Sequence, residues 1–141
     1  MSEQNECKDR IRCSVLKDKL ISPDDAAMFF KPDMTVGCSG FTPVGYPKVI
    51  PMAIAERAKK YGPMPLSVWC GASSGKELDE ALALAGCIKC RYPYQSNKIL
   101  REMINEGSVD YSDYHLSMGG QNLRYGFYGK MDYALIEATA I

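Results

Sequence analysis

Residues 33–48, Asp33-Met34-Thr35-Val36-Gly37-Cys38-Ser39-Gly40-Phe41-Thr42-Pro43-Val44-Gly45-Tyr46-Pro47-Lys48, decide how the chain is read. Met34-Thr35-Val36 is a short apolar, β-branched run of the kind that forms a buried strand. The stretch from Ser39 to Gly45 is a turn carrying two glycines and a proline. Pro47 stands where a helix can begin, and Ile50, Ile54 and Ala58 then recur on one helical face up to Tyr61 and Gly62. Strand, glycine turn and helix leave backbone N–H groups aimed at one spot. A helix N-terminus adds partial positive charge there, so the turn suits an anion or a developing oxyanion. The alternative reading is a tight connection that holds no ligand. Gly45 is followed by Tyr46, Pro47 and Lys48, which excludes a P-loop, and Gly37, Gly40 and Gly45 lack dinucleotide-fingerprint spacing.

Outward from this stretch, helices and strands alternate. Ser22-Pro23-Asp24-Asp25 is a helix start with Ser22 as cap; that helix carries Ala26, Ala27, Phe29 and Phe30 and stops before Pro32. Leu66 to Cys70 reads as a second strand. Gly71-Ala72-Ser73-Ser74-Gly75 repeats the small-residue turn, and a helix over 76–85 buries Leu78, Ala81 and Leu82. Ile88 to Tyr92 reads as a short strand. Ser96 is placed to cap a helix over 97–106 that ends at Gly107. Residues 117–128 read as helical, and 131–141 close with a buried strand holding Tyr133, Leu135 and Ile136. Strands separated by helices argue for an α/β fold, a mainly parallel open sheet with flanking helices. Both turns then fall at carboxyl ends of strands, where such sheets bind ligands, and they share a rim if their strands are neighbours.

At 141 residues the chain has the length of one domain. Seventeen basic and seventeen acidic residues cancel, which argues against nucleic acid or an anionic membrane as partner. No apolar run reaches membrane-spanning length, and the polar, acidic N-terminus lacks a secretory or mitochondrial pattern. Six cysteines, without a sign of secretion, read as free thiols in a reducing cytoplasm. Cys87-Ile88-Lys89-Cys90 is a CxxC, but a zinc site needs two further ligands, and His115 is the single histidine. The pair also follows a helix end, opposite to the place that activates a redox thiol.

Residues 33–48 resemble the first signature of the class I coenzyme A transferases, in the form found in the acetyl-CoA hydrolase/transferase family, which includes succinyl-CoA:acetate CoA-transferases. Four more stretches match in order: Gly71 to Gly75, Arg91-Tyr92-Pro93-Tyr94-Gln95-Ser96-Asn97, Asp113-Tyr114-His115-Leu116-Ser117, and Ile136-Glu137-Ala138-Thr139-Ala140-Ile141. The resemblance runs from about Arg10 to the last residue. It implies an enzyme of two related α/β halves, of which this chain holds part of the first. Residues 1–21 are then an arm or short helix, and 22–141 a partial N-terminal domain cut at its C-terminus.

The resemblance also implies a mechanism. A glutamate carboxylate attacks acyl-CoA, CoA is held as a glutamyl thioester, and a second carboxylate or water completes transfer or hydrolysis. That glutamate is expected outside this chain; Glu137 matches a first-half strand and is assigned a structural role. Gly40, Phe41, Thr42, Gly45, Ala72, Ser73, Ser74 and Gly75 are the implied substrate-binding residues, with Ser73 facing the acyl or carboxylate group. Their competing readings are core packing for Phe41 and helix capping for Ser73 or Ser74. Arg91 and Lys98 are candidate partners of CoA phosphates. Asp113 and His115 invite an acid–base reading, against which stands a structural histidine. The expected partners are acyl-CoA and a short carboxylate, acetate, succinate or propionate. No permanent cofactor is expected, and the full-length protein is expected to be a cytoplasmic homodimer. A non-catalytic α/β ligand-binding module or inactive remnant is the alternative.

Overall fold

A computed structural model describes residues 10–141. Helix α1 is Ser14–Lys17; residues 1–9, Cys7 among them, lie outside the described residues, and with them much of the arm or short helix expected over 1–21. Helix α2, Pro23–Ala27, starts as the residues dictate: the Ser22 hydroxyl accepts the Asp25 N–H at 3.1 Å, and Pro23 fills the first turn. Strand β1, Thr35–Cys38, leads through the first glycine turn to α3, Val49–Tyr61. Strand β2, Leu66–Cys70, leads through the second to a π-helical turn, Lys76–Glu80, that runs into α4, Ala81–Leu84. Strand β3 is Ile88–Tyr92, α5 is Lys98–Asn105, β4 is Asp110–Tyr111, α6 is Leu116–Arg124 and β5 is Tyr133–Leu135.

The five strands form one sheet in the order β4-β3-β2-β1-β5, and every pairing is parallel. The open parallel sheet with flanking helices expected from the alternation is therefore present. From β1 the chain winds outward through β2 and β3 to β4, then crosses back to lay β5 on the other side of β1. The winding reverses at β1, and the first glycine turn leaves its carboxyl end.

Alternation along the strands separates the two faces. Val36 and Cys38, Leu66, Val68 and Cys70 are buried together with Ile54, Ala58, Leu78, Leu82 and Leu100 of the covering helices. Those helices are α3, the π-turn, α4 and α5, which pack on one another along this face. Gly37 and Trp69 point the other way, toward Met131 and α6; a Cβ on Gly119 would lie 3.4 Å from the Trp69 ring. Tyr114 and Tyr92 each pack a ring on Tyr128, at 5.2 and 5.1 Å between centroids, so aromatic side chains cover this second face.

Two expectations are corrected here. Ser96 does not cap α5: Asn97 does, its side chain accepting the Leu100 N–H at 3.1 Å, because Ser96 is drawn to Ser73. The closing strand is an edge strand rather than a buried one. Leu135 alone of its apolar residues is buried, while Tyr133 is 37% and Ile136 72% exposed.

Candidate functional site

The rim at the carboxyl ends of β1 and β2 brings the two glycine turns into contact. Their strands pair directly, Cys38 beside Cys70. A Cβ on Gly71 would lie 2.8 Å from the Gly40 carbonyl oxygen, and one on Gly40, at φ 108°, would meet the Tyr46 backbone at 2.9 Å. A Cβ on Gly75 would overlap the Tyr46 hydroxyl. At Gly40 and Gly71 glycine is required because backbone passes against backbone, and at Gly75 because the Tyr46 side chain fills the space. Tyr46 is the wedge between the turns. It is 5% exposed, and its hydroxyl donates to Glu77 Oε2 at 2.5 Å. That bond, and then burial, push the Tyr46 phenol up to about 12; the same bond, against burial, holds Glu77 below its ordinary range.

The first turn is a tight loop on the surface. The Phe41 N–H donates to the Val44 carbonyl at 3.1 Å, and the Thr42 hydroxyl to the Phe41 carbonyl at 2.6 Å. The Ser39 hydroxyl donates to the Gly45 carbonyl at 2.7 Å and accepts the Glu137 N–H at 2.9 Å. Phe41 is 57% exposed, so it is not core. The N-terminus of α3 begins after the turn, with Lys48 in the cap position and no side-chain cap. Lys48 Nζ sits 2.7 Å from both oxygens of Glu137 and 4.4 Å from the centre of the Tyr46 ring.

The second turn is held from beneath by a buried polar network. Asp79 and Arg91 are both fully buried and pair at 3.0 Å. Asp79 Oδ2 also accepts the Ser74 N–H at 2.6 Å and Gln95 Nε2 at 3.1 Å. Arg91 donates on to the Ala72 carbonyl at 2.9 Å and to the Tyr92 carbonyl. Ser73 is buried, donates to Gln95 Oε1 at 2.7 Å and accepts from Ser96. Ser74 donates to Cys70 Sγ, and Gly75 occupies the cap position of the π-turn with no side-chain cap, so neither serine caps the helix. Arg91 is therefore not a surface cation open to phosphate; it is consumed in fixing this turn. Lys98 is exposed and lies 3.9 Å from Glu102.

Above the rim lies a cleft of about 240 Å³. Its walls are Phe41 of the first turn, Trp69 at the end of β2, and Tyr114 and Leu116 at the start of α6. Gly71, Gly119 and Gly120 also line it. The Trp69 indole N–H donates to Tyr114 Oη, joining two of the cleft's lining residues. His115 is spent on structure: its Nδ1 accepts the Ser117 N–H at the N-cap of α6. Asp113 accepts the Tyr94 and Tyr114 N–H groups. Cys38, Cys70, Cys87 and Cys90 are buried free thiols; burial pushes Cys38 up to about 12 and raises Cys87 and Cys90. That direction is opposite to the activation a redox CxxC needs. Among the described residues no cluster of three potential metal ligands forms, and no helix is long and apolar enough to cross a membrane.

Residues 4–141 match the acetyl-CoA hydrolase/transferase N-terminal domain. The chain belongs to that family. It is 41% identical to the succinyl-CoA:acetate CoA-transferase of Clostridium kluyveri, over 94% of this chain and 25% of that protein. It is 39% identical to the propanoyl-CoA:succinate CoA transferase of Escherichia coli, over 86% of this chain and 25% of the relative. The acetyl-CoA hydrolase of Yarrowia lipolytica is 39% identical, over 95% of this chain and 28% of that enzyme. The chain thus spans about a quarter of the length of the curated relatives it matches. In fold it is similar to an Escherichia coli acyl-CoA transferase solved as a thioester complex with CoA, at TM-score 0.66 and 17% identity, over 75% of this chain and 22% of the other. It is also similar to the AibA/AibB decarboxylase, at TM-score 0.61 and 14% identity, over 75% of this chain and 42% of that one. The fold accommodates more than one chemistry, so function must be argued from the site.

Within this family domain, the structure brings Gly40, Phe41, Thr42 and Gly45 onto one rim with Ala72, Ser73, Ser74 and Gly75. Sequence reasoning missed Tyr46, Asp79 and Gln95, which set the rim's geometry, and Trp69, Tyr114 and Gly120, which shape the cleft. One signal was available. An arginine between Cys90 and Tyr92 in a strand of an apolar sheet requires a buried acid.

Proposed function

We propose that this chain forms one wall of the active site of an acetyl-CoA hydrolase or acyl-CoA:carboxylate CoA-transferase. The observation that carries this is the contact of the two glycine turns at the carboxyl ends of neighbouring parallel strands, where the sheet reverses its winding. The glycines let backbone approach backbone at the Gly40–Gly71 contact, and backbone N–H groups of such a turn are the donors an acyl oxyanion needs. Gly40, Phe41, Thr42 and Gly45 face the substrate from one side and Ala72, Ser73, Ser74 and Gly75 from the other. Ser73 acts through the placement it shares with Gln95 and Ser96.

The covalent steps belong to a glutamate outside these 141 residues. Its carboxylate attacks the acyl-CoA carbonyl and expels the CoA thiolate. The thiolate then attacks the glutamyl carbonyl of the resulting anhydride, releasing the first carboxylate and leaving a glutamyl-CoA thioester. A second carboxylate reverses this sequence through a new anhydride and leaves as its own acyl-CoA, whereas water attacks the glutamyl thioester directly and releases CoA thiol and the free glutamate. Glu137 does not serve: its oxygens are paired with Lys48 and its N–H with Ser39. The similarity to enzymes named for acetate, succinate and propanoyl-CoA supports a short acyl group.

The deciding measurement is made on the product of the whole reading frame that contains these residues. After incubation with acetyl-CoA, intact mass is expected to show a CoA adduct that hydroxylamine removes. Absence of both the adduct and acyl exchange overturns the reading. An adduct on the 141-residue chain alone overturns the exclusion of Glu137.

A further inference from the structure

We infer that Phe41 is the side chain that keeps water from the thioester formed at this rim, so that the site passes CoA to a carboxylate in preference to hydrolysis, and that Thr42 positions Phe41 for this. The inference deepens the proposed function and rests on it for the glutamyl-CoA thioester. Phe41 lies across the place where the two glycine turns meet. A Cβ on Gly71 would lie 3.6 Å from Phe41 Cδ2 and 2.8 Å from the Gly40 carbonyl oxygen. The ring is 57% exposed, so burial does not hold it there. Its own backbone does. The Phe41 N–H donates to the Val44 carbonyl at 3.1 Å, and the Phe41 carbonyl accepts the Thr42 hydroxyl at 2.6 Å. Thr42 stands at φ 56°, in the left-handed region that a β-branched residue rarely enters. Glycine would occupy that place without strain. Threonine instead supplies the hydroxyl that ties down Phe41, and strain of this kind clusters at functional sites.

The walls beside the rim also lack a base. Phe41, Trp69, Tyr114 and Leu116 line the cleft with glycines, and no carboxylate or imidazole lines it. On the neighbouring segments, Glu77 accepts the Tyr46 hydroxyl, Glu137 is paired with Lys48, and Asp79 with Arg91. His115 Nδ1 accepts the Ser117 N–H. The two fates of the thioester differ in what they need. A carboxylate adds at the glutamyl carbonyl and expels the CoA thiolate. The thiolate then attacks the incoming acyl carbonyl of the new anhydride, giving acyl-CoA and the free glutamate. Water adds at the same carbonyl, gives one proton to the departing thiolate and the other to solvent, and leaves CoA thiol and the glutamate carboxylate. Water must therefore lose protons to a base as it reacts, whereas a carboxylate has none to lose. The backbone donors of the turns hold the incoming carboxylate. A water molecule in the same place meets an aromatic face and no base, and such exclusion protects a reactive intermediate from hydrolysis.

The test uses the product of the whole reading frame, loaded with CoA from acetyl-CoA and desalted. The adduct is chased in buffer with and without acetate, which is an acceptor by necessity because loading releases it. Chromatography gives the initial ratio of acetyl-CoA to free CoA thiol. Only molecules that carry the adduct contribute, so the ratio does not depend on how much of a variant folds. The wild-type adduct is expected to go mainly to acetyl-CoA. Phe41→Ser is expected to lower the ratio about tenfold, a barrier change of ~1.4 kcal/mol in favour of water. Phe41→Leu stays bulky and apolar and is expected to keep most of the ratio. Thr42→Val retains the β-branch without the hydroxyl and is expected to lower the ratio part-way, while Thr42→Ser holds it. Val44 lies in the same turn, but its side chain is 70% exposed and does not line the cleft, so Val44→Ser is expected to leave the ratio unchanged. A ratio unchanged in Phe41→Ser, or lowered as far in Phe41→Leu or Val44→Ser, overturns the inference and leaves the enzyme reading standing. A wild-type adduct that goes mainly to free CoA thiol also overturns it, in favour of the hydrolase. Absence of any adduct removes the inference together with the proposed function.

Discussion

Asp79 and Arg91 form an ion pair sealed from water, with Nε 3.0 Å from Oδ1 and no exposed surface on either side chain. The pair sits under the second glycine turn and fixes it through Ser74 and Ala72. Removing one partner leaves a charge buried without compensation. Asp79→Asn or Asp79→Ala is expected to cost about 3–5 kcal/mol in urea unfolding, and the double replacement Asp79→Leu with Arg91→Met much less than the sum. Equal costs for single and double replacements would show that the pair does not hold the turn.

Gly40, Gly75 and Gly45 of the rim are expected to differ in tolerance. Gly40→Ala combines an unfavourable φ with a clash against the Tyr46 backbone, which cannot move aside. Gly75→Ala meets the end of the Tyr46 side chain, which must be displaced, at about 1–3 kcal/mol. Gly45→Ala faces open space and bears only the cost of φ 68°, about 1 kcal/mol. Thermal unfolding should therefore rank the losses Gly40, Gly75, Gly45. Adding Tyr46→Ala to Gly75→Ala should cost less than the two changes apart.

Tyr46 and Glu77 make stability depend on pH at both ends. The tyrosine's folded pKa is raised, to about 12 from an ordinary 10, so its contribution is complete below pH 10 and is lost as pH rises toward 12. Glu77 is shifted the other way, so its contribution is complete above the ordinary glutamate range and is lost as pH falls below it. Tyr46→Phe should flatten part of the alkaline fall in stability. It should also remove one late-titrating phenol from the ultraviolet titration, leaving Tyr92, raised to about 12, and Tyr111 and Tyr114, also raised, each mainly by burial. An unchanged alkaline limb would show that the Tyr46–Glu77 bond does not form in solution.

Thiol labelling separates structural from reactive cysteines. In a Cys7→Ser background, one thiol should react at once under native conditions, that of exposed Cys13. Cys38, Cys70, Cys87 and Cys90 are buried and should wait for unfolding. Fast labelling mapped to Cys87 or Cys90 would revive a redox role for the CxxC.

Local chemistry was legible wherever it acted within a few residues. Ser22 caps α2 because its hydroxyl reaches an N–H three positions on. Leu66–Cys70 and Ile88–Tyr92 form strands over the residues read from their apolar and β-branched content. The two glycine turns sit at the strand ends where residue type placed them. The same local logic failed at Ser96, whose hydroxyl is drawn 23 positions back in sequence to Ser73, leaving Asn97 to cap the helix.

The sequence by itself determined the alternation of strands and helices, the position of the glycine turns and, by resemblance, the family. Those properties follow from periodicity, turn stereochemistry and ordered motifs, each carried by residues close together in the chain. Only the tertiary structure decided that Arg91 is buried against Asp79, that Phe41 is exposed on a cleft wall, that β5 is an edge strand, and that Trp69 meets Tyr114. Each of these depends on strand order and on contacts between residues distant in sequence. A side chain's type states what partner it requires; the packing of the sheet decides where that partner is found.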